Sequence, residues 1–418
     1  MSEQALQISN ARLIDPDSRL DGHHELYISD GRIVGIGQPP PGFSAQRRID
    51  AGGLIACPGL VDLSTRLGGI EPELGAAVAG GVTSLACPPD TKPPLDEPGL
   101  VERLVRRSAT LGLARVYPIG ALTQQLGGER LAEMNSLARA GCIAFSQARN
   151  PVVDTQLLLR AMQYAATFGY AVRLRPQDRF LARDGVAHDG EVASRLGLAG
   201  IPVAAETVAI ATALQLAAHT GVRLHLSRLS SAAGVALIRA ARQSGVQVSC
   251  DIAIHHLHLS EMDIGFFDSN ARFDPPLRSV SDRNALRAAV RDGLAAICSD
   301  HTPVDADGKQ LPFADALPGA TGLELLLPLT LHWAAQEKLP LSLALARITC
   351  DPAAIRGIEA GSLAVGRAAD LCLFDPDESW RVTPESLRSQ GKNTPFLGQE
   401  MCGRVRITLV GGRVVFSA

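Results

Sequence analysis

Lysine is scarce in this sequence. Of 40 basic residues only Lys92, Lys309, Lys338 and Lys392 are lysines, and none falls between Lys92 and Lys309. No basic stripe stands out and the formal net charge is -3, so nothing in the charge pattern points to a nucleic-acid or membrane-surface partner. The eight cysteines are scattered from Cys57 to Cys402 without a C-x-x-C pair. Cys87, Cys142, Cys250 and Cys298 lie inside apolar, strand-like runs, which reads as small buried hydrophobes in a reducing compartment, not as a disulfide framework. No apolar run approaches the length of a membrane span. The opening Met1-Ser2-Glu3-Gln4 carries no basic stretch ahead of an apolar one, so no signal peptide is legible and the expectation is a soluble cytoplasmic protein.

What is present is an ordinary globular composition, 46% hydrophobic and 20% charged, over 418 residues, enough for one large domain and a smaller one. The two ends look alike. Leu6 to Leu13 alternates apolar and polar residues, Asp15-Pro16-Asp17-Ser18 is turn chemistry, and Tyr27-Ile28-Ser29, Asp30-Gly31 and Ile33 to Ile36 read as a hairpin. Asp370 to Phe374 reads as a strand, and Val405 to Val410, Gly411-Gly412 and Val414 to Phe416 as a second hairpin. The expectation is a composite β-sandwich built from residues 1–57 and 358–418, around a different middle.

That middle, residues 58–357, alternates strand and helix. Eight strand candidates are Leu60 to Leu63, Thr83 to Cys87, Arg115 to Ile119, Cys142 to Ser146, Ala171 to Arg175, Arg223 to Ser227, Val246 to Ala253 and Ala295 to Ser299. Helical stretches between them include Glu97 to Leu111, Glu129 to Ala140, Asp154 to Phe168, Ala232 to Ser244 and Ser281 to Asp292. An open doubly wound sheet would carry a Gly-rich phosphate loop after its first strand, and here Ser64-Thr65-Arg66 follows instead. The pattern predicts an α/β protein with a (β/α)8 TIM-type barrel.

Chemistry in such a barrel sits at the C-terminal ends of the strands. The residues placed there are Ser64, Arg66, Asp90, Gln147, Arg175, Arg228, Asp300 and His301. Three arginines then converge on one mouth with the single carboxylate of Asp300 as their expected counter-ion. Further along, His255, His256 and His258 form a cluster in which His256 and His258, at strand-like spacing, could face one side, although satisfied structural histidines are the preferred reading over a relocated metal site. Val304 to Gly322 reads as a long loop over the mouth, in the position of a lid or a contact surface.

Over nearly its whole length the chain resembles the dihydroorotases of the cyclic amidohydrolases, and several ordered segments carry the likeness. These are Ile55 to Leu63, Gly80 to Thr91, Gly190-Glu191-Val192 with Arg195 to Pro202, His255-His256-Leu257, Pro275 to Arg278, Ser299 to Pro303, and Gly361-Ser362-Leu363 through Ala369-Asp370-Leu371. The resemblance implies an amidohydrolase barrel with a zinc site, whose bound water the metal acidifies. It also implies His-x-His after the first strand, where this chain has Ser64-Thr65-Arg66. The bridging carboxylate or carboxylated lysine falls at Gln147, and the later histidine ligands fall at Arg175 and Arg228. Only Asp300 survives, as a remnant. Substrate contacts implied by the resemblance are replaced at Gly68, Asp90, Asp274 and Val304, and the two aspartates would repel an anionic substrate.

A guanidinium stays protonated and offers no lone pair, so arginine cannot ligate zinc. The expectation is therefore no zinc and no other cofactor, and a chain that is not an enzyme. The resemblance includes inactive dihydroorotase homologues that assemble with aspartate carbamoyltransferase in pyrimidine synthesis, which implies that partner and a hetero-oligomer. Two other readings stand beside it: a cyclic amidohydrolase with a metal-free site or one relocated to the histidine cluster, and a module that senses an effector through the three arginines.

Overall fold

The computed structural model describes residues 5–418. Its centre is a parallel sheet of eight strands in consecutive order: β1 (Leu60–Asp62), β2 (Val82–Cys87), β3 (Arg115–Ala121), β4 (Ala144–Ser146), β5 (Ala171–Leu174), β6 (Arg223–Leu226), β7 (Val248–Ala253) and β8 (Ala296–Cys298). Each of the eight expected strands is found. They were readable because a parallel sheet covered by helices buries both faces, so its strands become nearly unbroken apolar runs. All six residues of β2 are buried.

The sheet curls until β1 and β8 approach one another. Near the strand starts, the carbonyls of Ile348 and Arg347 accept hydrogen bonds from Val61 N and Ile297 N, at 2.8 and 3.0 Å. At the other end the chain closes on itself: His301 N donates to Ser64 O at 3.1 Å and Arg66 N to His301 O at 2.9 Å. The barrel mouth is thus stitched by the segments that hold Ser64, Arg66 and Asp300.

Helices return the chain between strands: α1 (Ile70–Ala79), α2 (Pro98–Leu111), α3 (Met134–Ala140), α4 (Thr155–Thr167), α5 (Val203–Thr220), α6 (Ala232–Gln243) and α7 (Val280–Arg291), with α8 (Leu326–Gln336) after β8. Asp154 caps α4 by accepting from Gln156 N and Leu157 N, and Ser231 caps α6 by accepting from Gly234 N. The helix expected from Glu129 begins only at Met134. The residues before it fold back, with Gln124 N donating to Arg130 O at 2.8 Å, through a turn in which Gly128 takes a positive φ of 76°.

Both ends of the chain form sheets. Four strands lie in the order Arg32–Ile36, Leu26–Ser29, Leu6–Ser9, Arg47–Asp50, and six in the order Arg413–Ser417, Glu400–Val410, Leu371–Arg381, Ile55–Pro58, Arg12–Asp15, Leu20–His23. Side-chain alternation explains the layering. Leu371 and Leu373 pack with Leu6, Ile8, Leu26 and Ile33 in a core between the sheets, whereas Cys372 and Phe374 belong to the main core shared with the barrel.

Residues 382–399 leave this β region and run to the barrel mouth. Buried Asn393 holds them there: its Nδ2 donates to Thr302 O and Gly319 O, and its Oδ1 accepts from Val304 N, all at 3.0–3.1 Å. Val304 to Gly322, read as a loop, contains a short helix at Ala306–Gln310 and is fixed at its start by this strap.

Candidate functional site

The mouth is a box of ion pairs. Arg66 Nε lies 2.9 Å from Asp90 Oδ2, and its Nη1 lies 3.3 Å from Asp300 Oδ1. Arg228 Nη1 approaches the same Asp300 oxygen at 3.1 Å. Arg175 Nη1 pairs with Asp274 Oδ1 at 2.7 Å, and its Nη2 donates to Arg149 O at 3.1 Å. Ser64 Oγ donates to Asp300 at 3.3 Å. The expected single-carboxylate mouth is corrected: three aspartates are present, and Arg175 takes Asp274, not Asp300, as its partner. Asp274 arrives on the segment after β7, 99 residues from Arg175 in sequence, so only barrel closure brings the pair together.

These charges hold one another. Burial works against the Asp90 carboxylate, but Arg66, Arg149 and Arg228 outweigh it and keep its carboxyl below the ordinary range. Asp274 behaves likewise, with Arg175 and Arg149 overcoming burial. Burial also opposes the Arg228 charge, and Asp300 and Asp274 more than compensate. Arg175 goes the other way: burial lowers its value, Asp274 resists, and Arg228 and Arg66 tip the balance. Asp90 and Asp274, expected to repel an anion, are therefore neutralised by their own arginines. Asp300 and Arg228 are held at φ 45° and 60°, in the left-handed region that residues other than glycine seldom adopt.

Arg149, Arg173 and Arg272 also belong here and were not singled out from the sequence. Period two along a strand was the missed signal for Arg173, which precedes Arg175 by two residues; Arg149 lies in the turn after β4 and had no such signal. Arg173 reaches below the mouth, where Asp251 accepts from His225 Nε2 and Arg228 N at 2.7 Å each and sits 3.5 Å from Arg173 Nη2. Burial raises the Asp251 carboxyl, but His225 and Arg173 bring it down to about 2. Beside it, Asp62 accepts from Ser299 N and Oγ at 2.7 Å each. The barrel interior is thus charged in two successive layers.

Other expected positions are quieter. Gln147 exchanges hydrogen bonds with Thr123. Gly68 and Asp90 line a cleft of about 510 Å³ on the rim with Lys92, Arg103 and Thr302. Val304 is buried under the strap. His301, fully buried, pairs with Glu73 at 2.8 Å and accepts from Gly322 N at 3.1 Å, which makes it a fastener between the mouth and α1.

The histidine cluster is corrected. The chain leaves β7 at Ala253 and enters one turn of 3₁₀ helix, Ile254–Leu257. Residues two apart there point about 240° apart around the axis, so His256 and His258 do not share a face. His255 stacks on Phe273 with ring centroids 3.9 Å apart, His256 Nε2 bonds to Pro276 O at 3.2 Å, and His258 Nε2 bonds to Leu329 O at 3.0 Å. Burial lowers His256 to about 4 and His258 to about 3. Among the described residues no group of three or more histidines, cysteines, aspartates or glutamates is placed to hold a metal ion. The guanidiniums of Arg66, Arg175 and Arg228 at the mouth do not suit zinc either, since they stay protonated and offer no lone pair. Cys87 and Cys250 are buried thiols pushed up to about 12, mainly by desolvation, and so are unsuited to nucleophilic work.

Comparison with known proteins agrees with the fold. The Dihydro-orotase-like family pattern matches residues 53–233, and that of the Amidohydrolase family matches residues 186–415. A dihydroorotase-like protein of Pseudomonas aeruginosa is 48% identical over 418 residues, covering 98% of this chain and 99% of that protein. One from Pseudomonas putida is 46% identical, at 98% of each. A protein named dihydroorotase from Geobacter sp. strain M21 is 38% identical, covering 99% of each. Among solved structures, an L-hydantoinase (dihydropyrimidinase) from Arthrobacter aurescens superimposes with a TM-score of 0.88 at 25% identity, over 99% of this chain and 96% of that one.

Proposed function

Because the chain belongs to the dihydroorotase-like family of the amidohydrolases, we propose that it is a member without catalytic activity, retained as a structural subunit. One observation carries the reading. At Arg66, Arg175 and Arg228, where the family resemblance puts metal ligands, stand guanidiniums bound to Asp90, Asp274 and Asp300. A hydrolytic site of this family needs a polarising cation beside the scissile amide and room for the substrate. Here positive charge is supplied by groups that cannot carry a hydroxide, and the cavity among them is about 20 Å³, close to the space of a single water. A fold kept in full while its site is converted to ion pairs fits selection on shape and surface.

The partner proposed for this subunit is aspartate carbamoyltransferase, on the family resemblance alone, with the barrel serving as scaffold of a cytoplasmic hetero-oligomer and binding no zinc. The test is co-purification from the native source followed by metal analysis. The reading expects the transcarbamoylase in the complex, less than stoichiometric zinc, and no turnover of dihydroorotate with zinc added. A transcarbamoylase that elutes alone and is stable alone would sink the scaffold role.

A second reading is favoured by relatives 37–39% identical that are named dihydroorotase: an active cyclic amidohydrolase working without the usual metals. Turnover of dihydroorotate, hydantoin or allantoin that disappears on Asp300→Asn would establish it.

A further inference from the structure

The cavity at the barrel mouth has a lining unlike that of a metal site. Arg66, Arg173, Arg175 and Arg228 border it together with Ser64, Ser146 and Ser227, and no carboxylate does. Two of its guanidiniums have donors to spare: Nε of Arg173 and Nε of Arg175 are buried and have no hydrogen-bond partner among the described residues. Both side chains are almost wholly enclosed, at 6% and 4% exposure. Ser146 Oγ accepts from Ala148 N at 3.0 Å, which leaves its own proton free to donate inward. A buried donor without a partner is costly, so an acceptor taken up beside these guanidiniums is favoured.

Charge points the same way. The guanidiniums of Arg66, Arg149, Arg175 and Arg228 face the carboxylates of Asp90, Asp274 and Asp300, one positive charge over, even before Arg272 and Lys309 at the rim are counted. Arg149 is the member without a salt bridge among the described residues, and its Nε is also buried and unpartnered. Burial and then the nearby Arg66 lower it to about 10. An occupant that both accepts hydrogen bonds and carries one negative charge answers both imbalances. The space of about 20 Å³ is close to that of a single water, which suits a halide.

We propose that this cavity is a binding site for a single small monovalent anion, with chloride as the type, held by Arg173, Arg175, Arg228 and the serine hydroxyls. This follows from the cavity and its donors and stands whether or not the chain has a partner or any activity.

Bromide is the probe. Full-length protein is melted in increasing sodium bromide with ionic strength held constant by sodium gluconate, and crystals soaked in bromide are examined for anomalous scattering. The expected result is a melting temperature that rises and saturates, with a bromide peak within hydrogen-bonding reach of Arg173 or Arg175. Ser227→Leu, which fills the space, and Ser146→Ala, which removes a donor without adding bulk, should each weaken the apparent bromide affinity, the first by at least about tenfold. Melting that ignores bromide, a dependence identical in both variants, or a peak only on the outer surface overturns the proposal. An equal effect from phosphate overturns the size assignment, and with it the claim of a halide-sized site.

Discussion

Asp300 takes two guanidiniums on one oxygen, and its side chain and that of Arg228 are each 4% exposed. At that burial, removing one member strands the other in a medium that solvates it poorly. Asp300→Ala should therefore cost about 3–5 kcal/mol in a urea unfolding experiment, far more than the loss of a surface ion pair. Replacing both partners differs: Arg228→Met with Asp300→Leu leaves Arg66 its bond to Asp90, so the double variant should recover much of that loss. Additive penalties in the two single variants and the double would show that the groups act independently. Asp300 thus joins Arg66 and Arg228 at the mouth. Its identity was legible in the sequence, and so were the arginines around it. Their pairing was legible in part: Asp300 was expected to face Arg66 and Arg228, whereas the pair of Arg175 with Asp274 was missed because it forms only after eight strands have curled into a barrel.

At the scale of elements, the sequence displayed what depends on local pattern. Buried parallel strands are apolar runs, and the terminal hairpins announce themselves at Asp30-Gly31 and Gly411-Gly412. Elements set by distant contacts were less visible. The turn after β7 carries two histidines in a row and looks strand-like, yet it bends at once into 3₁₀ geometry as His255 stacks on Phe273. The strap at residues 382–399 has no periodic signature, since distant groups pin it: Asn393 at the mouth, and Glu324 and Glu73, which accept from Arg388 N, Ser389 N and Gln390 N. That dependence is testable. Asn393→Leu leaves Val304 N and the carbonyls of Thr302 and Gly319 without their partner. The expected outcome is a loss of about 2–4 kcal/mol and faster amide exchange at Val304, with exchange in β2 to β6 little changed. Uniform acceleration across the barrel would instead mean that the strap is part of one cooperative core.

For the whole molecule the buried histidines set the response to acid. His256 and His258 are held at about 4 and about 3, and His225 is also lowered, in each case chiefly by burial. Once unfolded, each regains an ordinary value near 6.5 and takes up a proton that the folded state refuses. Their stabilisation is complete above about pH 6.5 and is lost as the pH falls toward the folded values. Asp90, Asp251 and Asp274, all held below the carboxylate range, add a second loss below about pH 4. Urea midpoints should therefore start to fall near pH 6.5, and a midpoint level down to about pH 5 would contradict this account.

The two charged layers inside the barrel also constrain how this lineage can change. Building a metal site at this mouth would begin with one substitution, such as Arg66→His. That step would strand Asp90 and weaken the hold on Asp300 before any ligand set is complete. Each intermediate carries the cost of an unmatched buried charge without the benefit of a bound ion. The ion-pair box acts as a ratchet: easy to keep and costly to leave by single steps.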